Sequence, residues 1–527
     1  MNRRLKWTLW LLIVLAPLLS GLLLAALTST SLTALDDWET HWTDEIGYWR
    51  ATETINETGL PVAANGFNEQ ESAEPAYGHY NYVTYWPYYL ASFVTGGSLH
   101  NRNVYANVLF VTLTCLFGVL LLKPDVTQSL LLLLLQLTHL LLARYTWSGM
   151  SECTTMCAAL TAMLCAVWLF RHTGPERSKW KTVTVLLVQT AAILFGGLIR
   201  PFNLTFLVFP LLWLAMAKGP RRPRLMTALG LVLLAGGTLV LYLKLGDQCA
   251  PYFYGDQLKL KLADYAALLK IGSLRTILLD VWNMTSDAFA RIFTSLRDSL
   301  GGQGFNNWNH MMAFIATETL VLMLLALIRL VRCAVRGDKK HAWIAAAYLL
   351  TAAVIMEANI LFYEVDQLHR MLLCVVSTGA VLFILDSALP EAVAHQLVLA
   401  ALMGIVVARN TGLLYFPQTQ THEKTDAALR QELTALMPVD ETDIYGNTVA
   451  VSVAQTDNYY IRFCFPGTAG FNYCQDSYLL PALRSGTLKS RYLLADESET
   501  ALIDLCRACG WAELWRGEET ILFRSPD

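Results

Sequence analysis

The sequence predicts a mainly α, polytopic membrane protein of about eleven transmembrane helices, followed by a small C-terminal α/β domain outside the membrane. Three observations carry this. Of 527 residues, 55% are hydrophobic and only 15% charged, with a mean hydropathy of +0.41, where a soluble chain carries about 25% charged residues. Apolar runs near the roughly 20 residues needed to cross about 30 Å of hydrocarbon recur along the chain. After residue 414 that pattern gives way to short alternating helix and strand signals. A net charge of −3 supplies no basic field for nucleic acid.

The apolar runs fall at 7–27, 104–122, 127–143, 150–170, 183–199, 202–217, 225–243, 313–331, 342–362, 371–388 and 395–413. The first follows "MNRRLK" and is longer than the 7–15-residue core of a signal peptide, so it reads as an uncleaved helix. The basic connectors "RHTGPERSKWK", "KGPRRPR" and "RLVRCAVRGDKK" fall on the side of the N-terminal "NRRLK". The positive-inside rule then puts the N-terminus in the cytoplasm of a cell-membrane protein. Segments 28–103, 244–312 and the tail lie outside. Residues 1–413 form the membrane domain with those two loops, and 414–527 the extracytoplasmic domain.

In the tail, "HEKTDAALRQELTAL" reads as amphipathic helix, "NTVAVSV" as strand, "DSYLLPALRSG" as helix and "SRYLLA" as strand. "SETALIDLCRAC" is helix again, and "WAELWRGEETILFR" is two strands turning at Gly517. Cys464, Cys474, Cys506 and Cys509 lie where disulfides are permitted, and four cysteines allow three pairings. No phosphate loop or triad is visible, so the tail reads as a supporting or acceptor-binding module.

The first outer loop holds ten acids but only two bases, Arg50 and Arg102, together with the aromatic run "AYGHYNYVTYWPYY". From about Leu35 to Thr58 it reads as one helix ended by Gly59 and Pro61. Consecutive helical residues diverge by about 100°, so Asp44 and Glu45 cannot address one point. Asp37, His41, Asp44 and Tyr48 share a polar face suited to a polar substrate. Trp38, Trp42, Glu45 and Trp49 make the next face, which would rest on lipid headgroups or on another helix. The plainer reading is a set of solvated acids with an interfacial aromatic belt.

The stretch "TDEIGYWRATETINETGLP", an Asp-Glu pair and a tyrosine opening a large loop after the first helix, resembles the GT-C type of membrane glycosyltransferase. That family includes the protein O-mannosyltransferases and the lipid A aminoarabinose transferases. "GHYNYVTYWPYYLAS", with Tyr85, is similar to its stretch leading to the second loop helix. "YTWSGMSECTTMCAALTAMLCAVWLFR" resembles its fourth-helix region, and "GGLIRPFNLTFLVFPLLW" the Arg-Pro start of a later helix. "DQLHRMLL" lies where relatives carry a basic residue, but lacks their following Tyr and later Pro.

The resemblance implies sugar transfer from a polyprenyl-phosphate donor to a hydroxyl acceptor (glycan, lipid or protein) on the outer face, with inversion. Attack at the anomeric carbon needs a base, and the departing phosphate needs positive charge. Asp44, Glu45 and Glu152 are the candidate catalytic acids. His41, Tyr48, Tyr85, Arg144, Arg200, His369 and Arg370 are the candidate substrate-binding residues. Each arginine also has the reading of a side chain snorkelling to headgroups. Glu357, inside a span, is a functional candidate or the partner of a neighbouring helix. No cofactor is required, although Asp44 and Glu152 sharing a divalent cation is a possible arrangement. Two other functions fit less well. A lipid-linked-precursor flippase should show paired repeats, which are not visible, and a non-catalytic assembly protein would have a dead site.

Overall fold

The computed structural model describes residues 3–28, 43–59, 65–69, 81–95, 102–173, 178–246, 255–301, 307–362, 368–386, 427–437, 444–452, 464–466, 469–517 and 519–526. Helix α1 (Arg3–Thr28) enters the bundle, and α2 (Thr43–Thr58) lies in the long connection that follows α1. Helices α3 (Trp86–Thr95), α4 (Arg102–Leu122), α5 (Val126–Thr138), α6 (Leu140–Thr146), α7 (Glu152–Arg171) and α8 (Lys179–Ile199) follow. After a 3-10 segment (Pro201–Leu207) come α9 (Val208–Met216), α10 (Arg221–Gly246), α11 (Gly255–Lys270), α12 (Leu274–Gly301), α13 (Asn307–Val335), α14 (Lys339–Phe362) and α15 (Leu368–Asp386).

Seven helical stretches among the described residues are long and apolar enough to span a membrane: Arg3–Leu23, Arg102–Leu122, Glu152–Arg171, Lys179–Ile199, Arg221–Gly246, Met312–Val335 and Lys339–Phe362. The chain is a polytopic membrane protein. Three of the other apolar runs are helical but are not among these seven. Run 127–143 is two helices broken at His139, and run 202–217 begins as 3-10 because Pro201 starts it and the chain tightens before α9. Run 371–388 falls on α15. Run 395–413 lies outside the described residues. The 244–312 loop is largely two helices, α11 and α12, joined by a turn at Gly272 (φ 73°).

Helix α7 is the bundle's centre. It is buried along almost its whole length and packs against α4, α8 and α15. Its small and flexible residues, Ala159, Ala162, Met156 and Met163, let neighbouring helices approach closely. The bundle has distinct ends. At one, Trp10 Nε1 donates to Pro124 O at 3.0 Å, and Arg171 donates to Leu122 O (3.4 Å) and to Leu385 O. Arg329 donates to the Asp386 carbonyl (2.8 Å) and carboxylate (3.0 Å). The start of α1, the α4–α5 turn and the last residues of α7, α13 and α15 therefore share one end. The tail and α2 lie at the other.

The tail helices and strands fall where the sequence puts them. Helix Ala427–Leu436, β2 (Thr448–Ser452), helix Asp476–Ser485 ended by Gly486 (φ 67°), β4 (Tyr492–Asp496), helix Thr500–Ala508, β5 (Ala512–Arg516) and β6 (Thr520–Arg524) are all present. Two strands add to that reading. One is β3 (Gly470–Cys474). The other is β1 (Asn65–Phe67), which comes from the connection between α1 and α4 and pairs in parallel with β3. The sheet runs β1-β3-β2-β4-β6-β5, parallel as far as β4 and antiparallel beyond it. Alternate residues of β2 feed opposite faces. Val449 and Val451 meet Leu433 and Met437 on one side, and Ala450 meets Leu479, Leu483 and Ile503 on the other. Cys464, Cys474, Cys506 and Cys509 are free thiols, so the permitted disulfides do not form among the described residues. Burial pushes the Cys474 and Cys506 thiols up to about 12.

Candidate functional site

The site is assembled around the short connection from α6 to α7. His139 ends α5, and its Nδ1 accepts the Leu142 backbone N–H at 3.2 Å, capping α6. One turn later α6 brings Arg144 and Tyr145 to the bundle end that carries α2. Trp147 then turns inward and donates from Nε1 to Pro17 O of α1 at 2.8 Å. Gly21 makes room for that indole, because a Cβ there would sit 2.2 Å from the ring.

A buried polar network fixes the next residues. Asn107 Nδ2 donates to Ser148 O (2.6 Å) and Met150 O (3.0 Å). Tyr88 Oη donates to Asn107 Oδ1 at 2.8 Å, and Thr154 Oγ1 donates to Tyr88 Oη at 2.8 Å. With its backbone so held, Gly149 presents its N–H to Glu45 Oε2 at 3.0 Å. A Cβ on Gly149 would meet that same oxygen at 3.2 Å.

Helix α7 then opens with Glu152, which is 1% exposed. Its Oε1 accepts from Arg200 Nη2 at 2.7 Å. Arg200, also 1% exposed, caps α8 in extended conformation (φ −140°) ahead of Pro201. A residue before proline is steered away from helix, so the Arg-Pro pair both ends α8 and turns the guanidinium toward α7. Glu152 Oε2 is buried and accepts no hydrogen bond among the described residues. Tyr145 is fully buried within electrostatic range of Glu152, Arg370, Arg144 and Arg200. One carboxylate and three guanidiniums, drawn from α6, α7, α15 and the end of α8, thus act electrostatically on a single phenol.

The aromatic loop reaches the same place. Asn81 caps the 3-10 turn Tyr82–Thr84 and donates from Nδ2 to Leu198 O, two residues before Arg200, at 2.8 Å. Tyr85 follows, fully buried, with its ring 6.2 Å from that of Tyr48 on α2.

The structure therefore brings Glu45, Tyr48, Tyr85, Arg144, Glu152, Arg200 and Arg370 to one end of the bundle. Asp44 is on α2, but its side chain lies outside the described residues, as do His41 and the His369 side chain. The expected start of the loop helix near Leu35 is outside them too. Of the two alternatives for the Glu45 face of α2, headgroups or another helix, the burial favours packing against protein. Tyr48, Trp49, Arg50, Ala51 and Thr52 are all buried, because α2 is gripped between the bundle, through Glu45, and the tail, through Arg50. Glu357 accepts from Thr285 Oγ1 of α12 at 2.7 Å, the pairing with a neighbouring helix that the sequence allowed. Among the described residues, no three His, Cys, Asp or Glu side chains converge as metal ligands.

The sequence reading missed the pair His139–Glu318. Nε2 and Oε2 are 2.8 Å apart, inside the bundle between the α5–α6 break and α13. Each is an ionisable residue within an apolar run, which was the signal available.

No family model matches the chain, and no curated protein matches it. It is similar to two solved proteins. One is the apo oligosaccharyltransferase of Archaeoglobus fulgidus, at 13% identity and a TM-score of 0.47, covering 92% of this chain and 69% of that one. The other is apo ArnT from Cupriavidus metallidurans, at 12% identity and 0.43, covering 99% and 98%. The same ArnT bound to undecaprenyl phosphate gives 10% identity and 0.40, covering 96% and 97%. In each case the likeness is one of overall fold.

Proposed function

We propose that the protein is a membrane glycosyltransferase that moves a sugar from a polyprenyl-phosphate donor to a hydroxyl acceptor at the outer face, with inversion. One observation carries this: the acid-bearing helix α2 is docked through Glu45 onto the connection leading into Glu152, which is itself paired with Arg200. Carboxylates and guanidiniums thus meet at a bundle end, where a lipid-borne phosphate can arrive within the bilayer.

In the reaction, the acceptor oxygen forms a bond to the anomeric carbon as the bond from that carbon to the phosphate oxygen breaks. The acceptor proton passes to the Asp44 carboxylate, and the electron pair leaves with the phosphate. Arg200, with Arg370 and Arg144 near Tyr145, stabilises the charge developing there. Glu152 then acts chiefly by orienting Arg200, since one of its oxygens is already committed to the guanidinium. Glu45 holds α2 to the bundle. Arginine charge alone serves the leaving group, so a chelator should leave turnover unchanged. The acceptor is a glycan, a lipid or a protein.

The test is turnover. Purified protein given a panel of polyprenyl-phosphate sugars should release polyprenyl phosphate. Absence of release across the panel, in protein shown to be folded, would sink the proposal.

A further inference from the structure

Among its described residues the tail domain holds none of the candidate catalytic groups, yet it grips the acid-bearing helix closely. Arg50 of α2 is 4% exposed and donates to three carbonyls of a single tail segment: Phe465 (3.5 Å), Pro466 (2.9 Å) and Ala469. Its guanidinium carbon stands 4.7 Å from the centre of the Phe471 ring. Glu53, one turn on, accepts from Arg102 of α4 at 3.0 Å and from Arg430 of the tail at 3.2 Å. It therefore bridges bundle and tail.

The chain beyond α2 is fastened more tightly. After β1 joins the sheet edge, Glu69 sits at φ 55°, a left-handed conformation that a non-glycine residue keeps only when its surroundings impose it. Its buried carboxylate accepts from Ser490 N (2.6 Å), Ser490 Oγ (2.6 Å), Lys489 N (2.8 Å) and Tyr478 Oη (3.0 Å). Helix α2 is thus pinned at Arg50 to the tail and at Glu45 to the bundle, and the chain after it is pinned at Glu69 to the tail.

We infer that the tail domain is a clamp that sets where α2 lies over the Glu152–Arg200 pair, with Arg50 as its positioning residue. This rests on the reading of the site as a sugar transferase. The chemistry of the contact is specific to arginine. A planar fork reaches three carbonyls that converge from one segment, whereas a lysine keeps the charge but not that geometry. A small displacement of a catalytic group costs up to about 10²-fold in rate.

The experiment compares wild type with Arg50→Lys and Arg50→Met in two readouts, donor turnover and backbone hydrogen exchange. The expected result is a fall in kcat of about 10- to 100-fold with KM for donor little changed. Amides of 43–58 should exchange faster while those of β2 and β4 stay protected, and Lys should lie between Arg and Met. Wild-type turnover in both variants with unchanged exchange in α2 would overturn the inference. So would loss of protection in β2 and β4 as well, since Arg50 would then serve only to fold the tail. Should the wild-type protein itself release no polyprenyl phosphate, the sugar-transfer reading fails, and exchange alone decides the clamp: loosening of α2 with the sheet intact upholds it, and no loosening removes it.

Discussion

Glu152 and Glu318 are both buried acids facing a base, at 2.7 Å from Arg200 and 2.8 Å from His139. Their surroundings separate them. Glu152 stands where α7 begins and α8 ends, at the bundle end next to α2 that is proposed above as the outer one. His139 stands at a helix break inside an apolar run. Its Nδ1 is committed to the Leu142 N–H, leaving Nε2 to face Glu318, and Phe314 packs edge-on to its ring. What separates the pairs is position: Glu152 and Arg200 stand where one helix begins and another ends, His139 and Glu318 inside the bundle. Burial and distance alone do not distinguish a site from a brace; position along the span does.

The largest expected effect tests the outer end. Asp44→Asn keeps shape and removes basicity, so turnover should fall about 10²–10⁴-fold with insertion and folding unchanged. Full activity would remove Asp44 from the mechanism. Close behind is the outer pair itself. Breaking a buried ion pair costs about 3–5 kcal/mol, whereas apolar replacement of both partners is often neutral. Glu152→Leu with Arg200→Met should therefore recover thermal stability in detergent relative to Glu152→Leu alone, and remain inactive. Recovery of turnover in the double variant would make the pair a brace like the inner one.

The inner pair sharpens the contrast. Glu318→Gln still offers His139 an acceptor and should cost under about 1.5 kcal/mol, with donor turnover near wild type. A loss of turnover as large as that of Arg200→Lys would erase the distinction. At the outer end again, Glu45→Gln leaves an oxygen for the Gly149 N–H and should cost less activity than Asp44→Asn; equal collapse of both would give Glu45 a direct chemical role.

Sidedness underlies the whole comparison. A cysteine at Thr487 should react with an impermeant thiol reagent in intact cells, and one at Ser178 should not; the reverse would put the Glu152–Arg200 end in the cytoplasm. The smallest effect expected is in the tail. Arg516 holds the Glu513 carboxyl below its ordinary 4.5. Because the folded value is the lower one, this contact stabilises above about pH 4.5 and is lost as pH falls through the folded value. Glu513→Gln should therefore lower tail stability slightly at pH 7 and leave it unchanged in strong acid, as measured by thermal melts.

What the sequence by itself determined is local. Apolar length marked the helices of the bundle, and period, caps and glycines such as Gly59 and Gly486 marked the ends of α2 and of the tail helix Asp476–Ser485. Arg-Pro at 200–201 and the acid opening α7 were legible as candidates, because an ionisable residue at the edge of an apolar run stands out. The tertiary structure decided which of them meet. Glu152 and Arg200 are 48 residues apart, and His139 and Glu318 further still, and no spacing rule spans such distances. Strand β1, three residues long, carries too little pattern to announce itself. It becomes a strand only because β3 supplies a ladder for its backbone groups. Helix α2 read as a two-faced surface helix because sequence shows its polarity but not what covers it. The tail and bundle bury both sides, and Arg50 and Glu45 are satisfied by backbone groups, a carbonyl set and a glycine N–H, that have no side-chain signature.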